Sequence, residues 1–145
     1  MMEALPPEPP AIVGRASVID GDTLEIHGQR IRLWGADAPE SRQTCERQGL
    51  SYRCGAEAAN ALSNWIGGRT VTCRPQGRPD RYRRIVARCA VGSVDMASWL
   101  VRNGHGLDFR RYSGGAYAAD QSQAERARLG VWAGAFEDPW VWRAR

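Results

Sequence analysis

Val18-Ile19-Asp20-Gly21-Asp22-Thr23-Leu24-Glu25-Ile26, followed by Arg32-Leu33-Trp34-Gly35-Ala36-Asp37-Ala38-Pro39-Glu40, is the stretch from which the fold is read. Val18 and Ile19 lead into a turn at Asp20-Gly21, Leu24 and Ile26 alternate with polar residues, His27-Gly28 reverses the chain, and Ile31 and Leu33 resume the alternation. Period-two patterning broken by turn residues predicts a run of antiparallel strands. The same stretch carries chemistry. Displacement at the phosphorus of an anionic diester adds charge to its oxygens, so a catalyst needs a divalent cation, fixed positive donors and a base for water. Asp22 and Asp37, Arg32, and Glu40 are residues of those three kinds.

Working outward, residues 41–53 show little periodicity and read as a loop. Ala58, Leu62, Trp65 and Ile66 then recur at helical spacing, with Gly67-Gly68 as a stop. Residues 69–74 and 84–91 read as paired strands joined by a Pro/Gly-rich turn. Residues 94–103 read as a second helix with Met96, Trp99 and Leu100 inward, and residues 117–129 as a third, ending at Gly130. The order predicts an α+β protein, mainly a small β-barrel with helices packed around it.

At 145 residues, with 43% hydrophobic and 25% charged residues, the chain fits one domain with a real core. No apolar run approaches the roughly 18 residues of a membrane span, so no membrane insertion is expected. Residues 1–12, with Pro6, Pro7, Pro9 and Pro10, read as a disordered leader, and residues 13–145 as the single domain. The leader lacks the positive and apolar regions of a signal peptide. The expectation is either a cytoplasmic protein or one whose signal has been removed, with the cysteines pointing to a periplasmic or secreted location. A monomer is expected.

Four cysteines allow three pairings. Cys45 with Cys54 closes a short loop, and Cys73 with Cys89 links two strands at the inward parity of Val71, Ala87 and Val91; these are the preferred pairs. Four buried free thiols are the alternative. All 20 basic residues are arginine. Residues 69–111 hold ten of them against Asp80, Asp95 and Asp108, a net of +7, whereas residues 1–68 have a net of −3. The middle of the chain is built to face an anion, and arginine's planar fork suits phosphate.

Asp22 and Asp37 are hard oxygen donors, suited to Ca²⁺ rather than Zn²⁺, and His27 and His105 are too isolated to suggest a zinc site. Asp-Gly-Asp alone is an ordinary turn tripeptide. The combination is more specific. Asp-Gly-Asp-Thr, then Arg-Leu-x-x-x-Asp-Ala-Pro-Glu, then Asp80-Arg81-Tyr82-Arg83-Arg84 resembles the staphylococcal nuclease (thermonuclease-like) family. Tyr52-Arg53-Cys54-Gly55, Leu100-Val101-Arg102-Asn103-Gly104, Gly130-Val131-Trp132 and the ending from Phe136 to Arg143 extend the resemblance over nearly the whole chain.

The resemblance implies an OB-fold, a five-stranded antiparallel Greek-key barrel with three α-helices. It also implies Ca²⁺-dependent hydrolysis of DNA and RNA that leaves 3′-phosphate ends, with little sequence specificity and a preference for single-stranded or frayed substrate. Carried over, Asp22, Asp37 and the Ala38 backbone carbonyl bind Ca²⁺, Glu40 is the general base or orients water, and Arg32 and Arg84 clamp the scissile phosphate. Tyr82 and Tyr112 resemble positions that line the nucleotide pocket and bind substrate, and Asp80 reads as holding the turn before Tyr82. Two departures stand out: Arg83 replaces the usual glycine, and Arg110 stands where a tyrosine is expected. The expectation is that the turn adjusts to avoid a positive φ and that Arg83 adds a phosphate contact. The alternatives are a non-catalytic nucleic-acid-binding barrel and a Ca²⁺-stabilised barrel for another polyanion.

Overall fold

The computed structural model describes residues 7–145. Its elements are β1 (Ile12–Gly14), β2 (Ser17–Asp20), β3 (Thr23–Ile26), β4 (Gln29–Leu33), β5 (Ala36–Asp37), β6 (Cys45–Arg47), β7 (Leu50–Tyr52) and α1 (Cys54–Ile66). There follow β8 (Val71–Pro75), β9 (Ile85–Val91), β10 (Val94–Asp95), α2 (Met96–Arg102), β11 (Leu107–Asp108), α3 (Arg110–Ser113) and α4 (Ala118–Ala127). A 3₁₀ turn (Gly130–Ala133) and α5 (Pro139–Arg143) complete the chain. The first six residues of the predicted leader lie outside the described residues, and Ile12, assigned to that leader, already pairs with Cys73.

One curled sheet forms the body, in the order β1-β8-β9-β4-β3-β2, with β10 paired to β9. It is the mixed α+β architecture that the order of elements predicted, with the OB-like sheet that the resemblance implied. One junction departs from all-antiparallel pairing: β4 and β9 run parallel, Arg32 opposite Val86. That junction brings the Arg32 strand beside the strand that follows Arg84. The β3–β4 hairpin closes through His27-Gly28, both at positive φ, as a two-residue hairpin turn requires.

The sheet's concave face buries Leu24, Ile26, Ile31, Leu33, Val71 and Ala87 against Leu62 and Ile66 of α1 and Met96 and Leu100 of α2. Full burial of each leucine or isoleucine contributes about 1.5–3 kcal/mol. Helix α1 presents Cys54, Ala58, Leu62 and Ile66 at four-residue spacing and ends at Gly67, which is left-handed as a C-cap glycine commonly is. Helix α2 starts at Asp95, whose carboxylate accepts the Ser98 N–H at 2.9 Å.

The predicted loop at residues 41–53 contains a hairpin, β6–β7, which its short and largely exposed strands conceal from periodicity. A disulfide joins Cys45 to Cys54, and another joins Cys73 to Cys89, the two preferred pairs. Cys45, Cys54, Leu107 and Val131 form a second, smaller core, against which Tyr52, Trp132, Phe136 and Trp140 pack. The carboxyl-terminal segment is held there: Trp140 stacks on Phe109 at 5.2 Å, and Glu46 and Ala135 exchange two backbone hydrogen bonds.

Candidate active site

Of the residues singled out in the sequence, Asp22, Arg32, Asp37 and Arg84 converge on one cluster. Asp22 sits between the β2 end and β3, and Asp37 lies on β5, which pairs with β11. Gly21 has a spatial role: it lies outside the positive-φ region, and a Cβ there would stand 2.7 Å from the Ala38 Cβ. The two carboxylate-bearing segments therefore approach closely. Ala38 N–H donates to Asp22 Oδ2 at 2.8 Å, and the Thr23 hydroxyl donates to Asp22 Oδ1 at 3.2 Å.

Arg32 is fastened between the carboxylates. Its Nη1 donates to the carbonyls of Leu33 and Ala36 at 3.0 and 2.8 Å and lies 3.4 Å from Asp22 Oδ2, while Nη2 donates to Asp37 Oδ1 at 3.3 Å. Arg84 reaches the same cluster from the turn before β9, donating to Thr23 Oγ1 at 3.3 Å. Asp80 aims it: one carboxylate oxygen accepts the Tyr82 and Arg84 N–H groups, both at 2.9 Å, and the other accepts Arg84 Nε at 2.8 Å. Asp80 thus holds the turn as expected and also orients the arginine.

Tyr82 is 63% exposed, with the Arg84 guanidinium 5.4 Å from its ring centre. Tyr112, 58% exposed on α3, packs edge-on against Phe109 at 4.9 Å; no contact joins it to the carboxylate cluster among the described residues. Arg83 corrects an expectation, since the turn keeps its left-handed geometry with Arg83 at φ 63°. The bond Arg83 N–H to Asp80 carbonyl, with those to the Asp80 side chain, over-determines that backbone. Left-handed backbone costs a residue with a Cβ roughly 1–2 kcal/mol. Arg83→Gly is accordingly expected to raise stability by about 1 kcal/mol, read as a higher urea midpoint at constant m-value.

Three residues escaped the sequence reading. Gln43, fully buried, accepts the Glu40 N–H at 3.2 Å and donates to the Glu137 carbonyl at 2.7 Å, tying the Glu40 loop to the carboxyl-terminal segment. Asp20 accepts the Asp22 N–H at 3.3 Å. Arg143, in the last turn of α5, donates to both oxygens of Asp37 at 2.9 and 2.7 Å and to Glu40 at 2.6 Å. The ending's match to the family pattern was a signal for Arg143, but its partner, 106 residues away, was not.

The crowding of carboxylates shifts their ionisation. Burial first, then the charge of Asp22, pushes Asp20 up to about 7. Burial pushes Asp37 up to about 6 against the pull of Arg143 and Arg32. For Asp22, burial acts upward, but Arg32, Asp20, the Ala38 N–H and Asp37 together outweigh it and hold the carboxyl below its usual range. Carboxylates that must share space and protons in this way fit a hard divalent cation, which would relieve their repulsion. No group of three or more His, Cys, Asp or Glu side chains among the described residues is arranged to hold a metal ion. A cation here would therefore take Asp22 and Asp37 and draw on backbone oxygen and water for the rest of its shell.

The family model for staphylococcal nuclease homologues matches residues 30–134, which include Arg32, Asp37, Glu40 and Arg84. The chain belongs to the staphylococcal nuclease family. It is 42% identical over 124 residues to the succinoglycan biosynthesis protein ExoI of Rhizobium meliloti (strain 1021), covering 83% of this chain and 64% of that one. It is 34% identical over 113 residues to the probable endonuclease LCL3 of Clavispora lusitaniae, covering 70% and 47%. It is 31% identical over 125 residues to the probable staphylococcal-like nuclease CAN1 of Oryza sativa subsp. japonica, covering 85% and 35%. The chain spans between about a third and just under two thirds of the length of these relatives.

Proposed function

We propose that this chain is a Ca²⁺-dependent nuclease that hydrolyses phosphodiester bonds of DNA and RNA with little sequence specificity, prefers single-stranded or frayed substrate, and leaves 3′-phosphate ends. The observation that carries the reading is the convergence of Asp22 and Asp37 on Arg32, with Arg84 joined to Asp22 through Thr23. Two of the relatives are named as a probable endonuclease and a probable staphylococcal-like nuclease, which supports the same reaction class.

Asp22, Asp37 and the Ala38 carbonyl would hold the cation, which supplies Lewis-acid polarisation of a phosphoryl oxygen. Arg84, held by Asp80 and half-buried beside the exposed Tyr82, donates to the phosphate oxygens and holds them more strongly as charge accumulates. Arg32 contributes whatever donor capacity its carbonyl and carboxylate partners leave it, and it keeps the two aspartates ionised. Glu40, at the rim, takes the proton of the attacking water or orients that water. Tyr82 and Arg83 flank the entry for an unstacked strand, with Tyr112 a further platform on α3.

The test is hydrolysis of heat-denatured DNA with Ca²⁺ against the same reaction in excess chelator, with the new ends analysed. Ca²⁺-dependent cleavage to 3′-phosphate ends supports the reading. Binding without hydrolysis favours the non-catalytic barrel. The relative named for succinoglycan biosynthesis makes an acidic polysaccharide a sensible competitor to include. The two disulfides are compatible with an oxidising, periplasmic or secreted location.

The carboxylate cluster also sets a pH dependence. Asp20 in the folded protein titrates near 7 against 3.8 as its ordinary value. A raised carboxyl pKa leaves stability fully present below the unfolded value and removes it as pH rises through the folded value. In chelator, Asp20→Asn should therefore raise the thermal midpoint by several degrees at pH 8, and the advantage should shrink as pH falls from 7 towards 4. An advantage independent of pH would assign the effect to something other than that carboxyl.

A further inference from the structure

We propose that Arg143 is a resident counter-cation on Asp37, which must withdraw before the carboxylates can hold a divalent ion, and which frees Glu40 as it leaves. This rests on the reading of Asp22 and Asp37 as cation ligands. An ionised carboxylate offers about four lone-pair directions. At Asp37, Oδ1 accepts from Arg32 Nη2 and Arg143 Nη1, and Oδ2 accepts from Arg143 Nη2. One direction is left on a residue with no exposed surface.

Of the two guanidinium groups, Arg143 is the one able to yield. Arg32 is only 13% exposed and is fixed by two backbone carbonyls, whereas the Arg143 side chain is 37% exposed and bonds only to Asp37 and Glu40 among the described residues. Its backbone need not move. Trp140 on Phe109, buried Pro139 and the Gln43–Glu137 bond hold α5 in place while the side chain changes rotamer. Arg143 also couples two parts of the site. Its Nη1 contacts Glu40 at 2.6 Å, so while it is seated the Glu40 carboxylate is occupied by a charged donor. Arg143 therefore releases Asp37 and Glu40 together, so the base is freed only as the cation ligands are.

The experiment is titration of the full chain with Ca²⁺ by calorimetry, and with luminescent Tb³⁺, in wild type, Arg143→Gln and Arg143→Lys at neutral pH. Circular dichroism monitors the fold. Arg143→Gln is expected to bind Ca²⁺ about tenfold more tightly than wild type, within the usual range of coupling between two competing ligands. Arg143→Lys keeps a charge without the two-pronged fork and should fall between them, and it carries the test if the glutamine variant does not fold. Equal or weaker binding in the variants would overturn the proposal, leaving the cation reading intact and making Arg143 a prop for Asp37. Absence of cation binding in all three proteins would overturn the cation reading and this proposal with it. In wild type, the Arg143 side-chain nitrogen resonances should shift when Ca²⁺ is added; resonances that stay fixed while the ion binds would also overturn it.

Discussion

Arg84→Ala is expected to lower turnover of heat-denatured DNA by about 10²- to 10³-fold at saturating Ca²⁺, the cost of losing one preorganised donor to a developing oxyanion. Asp80 accepts from both the backbone and the side chain of Arg84, so the guanidinium is aimed before substrate arrives and spends little free energy on reorganisation. Thr23 links it to Asp22, which places the donor beside the carboxylates proposed to hold the ion. The Arg84–Asp80 pair is itself partly exposed and contributes modestly to stability. The variant should therefore fold and bind Ca²⁺ as wild type does. Because the lost interaction strengthens towards the transition state, the fall should appear in kcat more than in KM. A loss smaller than about tenfold would remove Arg84 from the phosphate clamp.

Gly55→Ala is expected to destabilise the protein by about 3 kcal/mol or more, although alanine favours helix over glycine by about 1 kcal/mol. Gly55 lies in the first turn of α1, and a Cβ built there stands 1.7 Å from the Glu40 carbonyl oxygen, 2.6 Å from its carbon and 3.0 Å from Ser41 Cα. All three atoms are backbone, so no flexible side chain can swing away. Either α1 or the Glu40 loop must move, and overpacking of this kind outweighs the propensity gain. The loop is pinned from the other side by Gln43 and by the Cys45–Cys54 bridge, so the displacement falls on Glu40 itself. Urea unfolding reads the stability and the hydrolysis assay reads the site. Unchanged or increased stability would mean that helix and loop have room to separate without loss.

The strands and helices that bury a face were legible because their spacing is enforced by the core. Leu24 and Ile26 alternate on β3, and Ala58, Leu62 and Ile66 line one side of α1. The β6–β7 hairpin was not legible, since its exposed Leu50 and mixed polarity follow no period. The parallel β4–β9 pairing is a long-range event that local patterning does not encode. Within the site, Asp22, Arg32, Asp37 and Glu40 were read from residue chemistry and spacing and Arg84 from the family resemblance. The structure links Asp22, Arg32, Asp37 and Arg84 by hydrogen bonds, with Glu40 joined to Asp37 through Arg143. Gln43 and Arg143 were missed because each acts through a partner remote in sequence: Gln43 reaches Glu137, and Arg143 reaches Asp37. Arg83 shows the reverse case, in which a glycine-type backbone persists without its glycine because Asp80 holds the turn on both sides.

The Cys73–Cys89 bridge joins two residues directly opposite on β8 and β9 and so makes a covalent ring of the intervening turn. Inside that ring lie Arg81 and Arg83, exposed on a segment rich in turns, the kind of peptide that a trypsin-like protease cuts, whereas Arg78 is shielded by the Pro79 that follows it. A cut at Arg81 or Arg83 leaves both fragments tied through the core, with β8 and β9 still paired. Such a nicked molecule runs as one piece until a reductant is added. Digestion thus opens the arm that carries Arg84 without shedding it, and in protease-rich surroundings the chain can be damaged at its most exposed basic loop and still keep its parts in one molecule.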